Sequence, residues 1–69
     1  MNPAALYDAL DCASMSLLHA EDGNARKAEV YRLEAAVAAA GAFPEGSAEA
    51  AALNVILGAV GDMAGRCLT

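Results

Sequence analysis

Apolar residues recur along the chain at helical spacing in three segments, each opened by a residue suited to cap a helix. In the first, Leu6, Leu10, Ala13 and Leu17 follow at intervals of four, three and four, and Ala20 continues the row. That is a heptad seam on an amphipathic helix. Asn2 accepts hydrogen bonds from orphan N–H groups and Pro3 loses nothing at the first helical position, so the helix is predicted over residues 3–20. Tyr7 and Leu18 widen the stripe, Asp8, Met15 and His19 fall on the solvent side, and Gly23 provides the left-handed residue that ends a helix.

Asn24 caps a second predicted helix, residues 25–40, with Gly41 as its terminator. Val30, Leu33, Val37 and Ala40 form its expected core stripe, with the stem of Arg26 on the same line. The opposite side carries a second ridge of Ala28, Tyr31, Ala35 and Ala38, so this helix has two packable faces. Ala42 to Gly46 reads as a loop from its Pro and Gly, with Phe43 folding back as a lid over the end of the core. Ser47 caps a third helix, residues 48–67, with Glu49 near its positive end. Leu53, Ile56, Leu57, Val60, Met63, Ala64, Cys67 and Leu68 give this helix the broadest apolar face of the chain. The reverse side is unusual: Ala51, Asn54, Gly58, Gly61 and Gly65 align at about 100° per residue. Each interior glycine costs about 1 kcal/mol relative to alanine, and the Gly61-x-x-x-Gly65 spacing lets a second helix approach closely.

The pattern predicts a single all-α domain over residues 1–69, either a three-helix bundle or a helical hairpin with a short additional helix, dimerising through the two-faced second helix and the glycine ridge. Composition sharpens this. The chain has 69 residues and is 58% hydrophobic, but much of that is alanine, which forms helix well and contributes little area to a core. Domains this small commonly need a disulfide, a metal or a second copy for stability. A net charge of −5 repels nucleic acid phosphates and anionic lipid, so direct nucleic acid or membrane partners are not expected. The acidic residues Asp8, Asp11, Glu21 and Asp22 precede the first basic one, Arg26. The apolar stretch from Ala50 to Gly61, broken by Asn54, falls short of the ~20 residues of a membrane span. No secretory pattern opens the chain, and Cys12 and Cys67 lack CxxC spacing, so a reducing cytoplasm and structural thiols are expected.

Chemistry is sparse. His19, the one histidine, has no nucleophile arranged with it, and Cys12, His19, Asp8 and Asp11 lack two strong ligands at i, i+4 spacing; no catalytic, metal or cofactor site is expected. The candidate contacts for a partner protein are Tyr7, Tyr31 and Phe43 as aromatic anchors, Asp8 and Asp11 as an acidic patch, and Gly58, Gly61 and Gly65 as a close-approach surface. In length, acidity and all-helical make-up the chain resembles the very short inhibitors that phages and mobile elements direct against host regulators and defence systems, a likeness of general character without a motif. It implies a non-enzymatic regulator that occludes a surface of a larger protein. An acidic mimic of nucleic acid blocking a basic channel, and a structural or chaperone-like subunit stable only in complex, are the rival expectations.

Overall fold

A computed structural model describes Met1–Thr69 and contains three helices, α1 (Pro3–Glu21), α2 (Ala25–Ala40) and α3 (Ala48–Leu68), and no strand. The predicted starts hold for the predicted reasons. Asn2 Oδ1 accepts the Ala5 N–H at 3.3 Å, Asn24 Oδ1 the Lys27 N–H at 3.1 Å and Ser47 Oγ the Ala50 N–H at 3.1 Å. Gly23 ends the first connection at φ 77°, where a Cβ would be strained. Gly41 caps α2 while staying right-handed at φ −97°, its N–H donating to the Ala38 carbonyl. With 19 residues α1 is a full partner, which sets aside the hairpin alternative.

Two buried clusters define the topology. Ala9, Ala39, Ala42 and Leu53 meet at one end, and Ala20, Ala28 and Ala64 at the other. Early α1 therefore lies with late α2 and early α3, the signature of an up-down-up arrangement. The Asn2 N–H donates to the Ala42 carbonyl at 2.8 Å and ties the start of α1 to the loop between α2 and α3. Helix α1 packs on both neighbours, whereas α2 and α3 touch sparsely. Between the clusters the Ser16 hydroxyl, buried against α2, donates to the Ala28 carbonyl at 2.7 Å.

The composition of this interior overturns part of the sequence reading. Its buried apolar residues are eight alanines and Leu53, and no large side chain is fully enclosed. On α2 the expected core stripe faces the wrong way: Val30, Leu33 and Val37 are 48, 51 and 76% exposed, Ala40 is exposed, and the alanine ridge of Ala28, Ala35 and Ala39 is what packs on α1. On α1 Leu10 turns outward while Ala9, Ala13, Ser16 and Ala20 turn in. On α3 Leu53 and Ala64 are buried and Leu57 and Val60 half-buried, but Ile56, Met63, Cys67 and Leu68 are exposed. The physical reason is close approach. Methyl side chains bring helix axes to the short end of the 8–10 Å range, and every backbone atom then gains neighbours that bulkier residues would hold apart. Met15 and His19, expected in solvent, are half-buried, the imidazole stacking on Tyr31 with ring centroids 5.4 Å apart.

Helix α3 ends one residue beyond the predicted 48–67. Its 21 residues include an 18-residue window of mean hydropathy 1.3, long and apolar enough by length and composition to cross a bilayer, and only 11% of that window is buried in the fold. The apolar stretch read from the sequence ends at Gly61 because Asp62 follows, but the helix continues through Asp62 as predicted.

Candidate functional site

Two regions collect the candidate residues. The first lies along the seam of α1 and α2, where Asp8 and Cys12 face Leu33, Glu34, Val37 and Ala38 across a shallow apolar hollow. Helical spacing explains the grouping: Asp8 and Cys12 sit four apart on α1, and Leu33, Glu34 and Val37 span one turn of α2. The Cys12 thiol approaches Glu34 Oε2 at 3.9 Å. Its pKa is raised above the ordinary thiol value, first by desolvation and then by the negative charge of Glu34, Asp8 and Asp11. Three carboxylates thus rim this apolar strip. Their number does not make a metal centre, since no group of three potential ligands has suitable geometry.

The second region is the groove left where α2 and α3 fail to close. Ala13 and Ser16 of α1 form its floor; Arg32, Ala35 and Ala36 line one wall and Leu57, Gly58, Gly61 and Asp62 the other, enclosing about 390 Å³. It continues toward Asn54 and Ala40 at one end and toward Gly65 and Glu29 at the other. The glycine ridge therefore borders a groove. A Cβ built on Gly58, Gly61 or Gly65 meets nothing within 4 Å, so nothing inside the chain requires these residues to be glycine. On the α2 wall Arg32 forks onto Glu29, Nε–H donating to Oε2 at 2.9 Å and Nη2–H to Oε1 at 2.6 Å, which holds the Glu29 carboxyl below its usual range.

The aromatic candidates are not brought together. Tyr7 stands 66% exposed on the outer side of α1, one turn before Asp11. Tyr31 is half-buried against His19, and Phe43 packs on the Ala9–Leu53 cluster as the predicted lid. Sequence reasoning placed Val30, Leu33 and Val37 in the core and so missed them as surface, and it did not name Glu34, Arg32 or Asp62 among the candidate contacts. The signal was present in the two opposed faces of α2: where an alanine ridge and a bulkier stripe compete, the ridge permits closer helix approach.

Comparison with protein families, curated proteins and solved structures yields no match to this chain.

Proposed function

We propose that this protein is a small non-enzymatic regulator that binds a larger protein and occludes part of its surface. The observation that carries the reading is the inverted placement of side chains. Methyl groups fill the interior, while Val30, Leu33 and Val37 form a solvent-facing row on α2 beside the carboxylates of Asp8, Asp11 and Glu34. An apolar strip with an acidic border is complementary to an apolar patch with a basic border, and such borders steer encounter while the apolar centre holds the complex. The two free thiols, Cys12 and Cys67, accord with action in a reducing cytoplasm.

The test is affinity capture from the organism that encodes the chain, comparing the wild type with a Leu33→Asp, Val37→Asp variant. A partner retained by the wild type and lost by the variant is expected. Capture that ignores both substitutions removes the α2 row from the interface and the reading with it. The same three carboxylates also support competition with nucleic acid for a basic channel. That second reading requires binding to fall steeply with salt and to be indifferent to Leu33 and Val37.

A further inference from the structure

We infer that the groove between α2 and α3 is a self-association surface, which receives α3 of a second copy in a two-fold dimer whose axis runs along the groove. Room, charge order and surface area each support this. The groove runs the length of α2, its walls are rich in alanine and glycine, and α3 can be approached at backbone distance wherever a Cβ would meet nothing. The two helices that flank it carry charges in opposite order. Along α2 toward its N-terminus Arg32 is followed by Glu29, both lining the groove; along the antiparallel α3 in the same direction Asp62, which lines it, is followed by Arg66, which stands outside the lining. Arg32 and Asp62 border the same groove yet form no ion pair with each other.

A two-fold axis parallel to the groove keeps each residue at its own height and exchanges the walls. Helix α2 of one copy then lies against α3 of the other, antiparallel to it, with Arg32 beside the second copy's Asp62 and Glu29 at the level of its Arg66. The in-plane axis at right angles would set α2 on α2 and α3 on α3, like charge toward like charge near the middle of the groove. The entering helix leads with Val55, Gly58 and Asp62, a ridge at spacings of three and four whose valine is 73% exposed in the single chain. The accessible surface of 4410 Å² is also larger than the roughly 4,000 Å² typical of a compact monomer of 6.9 kDa. Covering an open groove removes that kind of excess.

This inference rests on reading the chain as an association module, but it uses a face different from the α2 row. Sedimentation equilibrium of the full chain from micromolar to several hundred micromolar tests it, with circular dichroism to confirm that each variant is helical. The wild type is expected to dimerise. Asp62→Arg places like charges together twice per dimer and should weaken the dimer by roughly tenfold. Combining it with Arg32→Asp should recover most of that loss. Gly61→Leu, at a position with open space around it, should abolish the dimer and leave the helices intact. A wild type that stays monomeric throughout, or a dimer unmoved by both Asp62→Arg and Gly61→Leu, overturns the inference. A monomer that still captures a target through Leu33 and Val37 sinks the dimer alone, and a dimer that captures nothing sinks the target reading alone.

Discussion

At the scale of single residues, the interior is intolerant in both directions for different reasons. Ser16 is its one buried polar side chain, and its hydroxyl is satisfied by the Ala28 carbonyl. Ser16→Ala removes that hydrogen bond without opening a cavity and should lower stability by about 1 kcal/mol in urea unfolding. Ala20 is wholly buried between α1, α2 and α3. Ala20→Leu must push two helices apart, and a loss above the usual 1–3 kcal/mol of overpacking is expected from the same measurement. If Ala20→Leu proves as mild as Ser16→Ala, the close packing described above is wrong. Cys12 and Cys67 differ in environment, one half-buried among carboxylates and one exposed. Since the thiolate is the nucleophile, iodoacetamide at neutral pH should modify Cys67 first, and Cys12 should gain reactivity at higher pH in the folded protein than in denatured chain. The sign for stability follows: the folded state holds the Cys12 proton more tightly, so its contribution is complete below the ordinary thiol pKa and is eroded as pH rises through and above it. Mass spectrometry of the alkylated peptides decides the order.

At the scale of elements, the boundaries were readable because they depend on local chemistry: Asn2 before Pro3, Gly23 before Asn24, and Ser47 after Gly46 each act within a few residues. Orientation was not readable on α2, because its two faces have similar periodicity and only the partner helix decides between them. Hydrophobic bulk favoured the Val30–Leu33–Val37 side, yet contact with α1 selected the side on which two backbones come nearest. The same competition decided Leu10 against Ala9 on α1. On α3, where leucines and glycines lie on different sides, the reading succeeded for Leu53, Leu57, Val60 and Ala64. The candidate contacts fared according to the same rule. Asp8 and Asp11 were found as a patch but without Glu34, because that carboxylate joins them only across the α1–α2 seam. The outward orientation of α2 has a direct check: Leu33→Asp and Val37→Asp should each shift unfolding free energy by no more than about 0.5 kcal/mol, as surface changes do. A cost of 2 kcal/mol or more at either site would return them to the core.

At the scale of the whole molecule, the slab measures 34 × 18 × 12 Å, its long dimension close to the ~31 Å length of a 21-residue helix. Such a body has little interior, and what it has is methyl-lined. The heat capacity of unfolding follows the apolar area exposed, and at the usual 12–15 cal/mol/K per residue a 69-residue chain would show about 0.8–1.0 kcal/mol/K. With Val30, Leu33, Val37, Val55 and Ile56 already outside, this chain at high dilution, or as Gly61→Leu, should fall below that range in calorimetry. A value inside it would mean that the bulky residues find cover within one copy.

The alanine seam also separates two tasks that most small domains share among the same side chains. What holds the three helices in register is a set of residues with no rotamers to choose and no surface to offer, and what faces outward contributes little to that register. The outer positions are therefore free to be rewritten, valine for tryptophan or leucine for arginine, while the scaffold beneath stays as it is. Selection acting on such a molecule can change what it recognises many times over without having to solve its folding again.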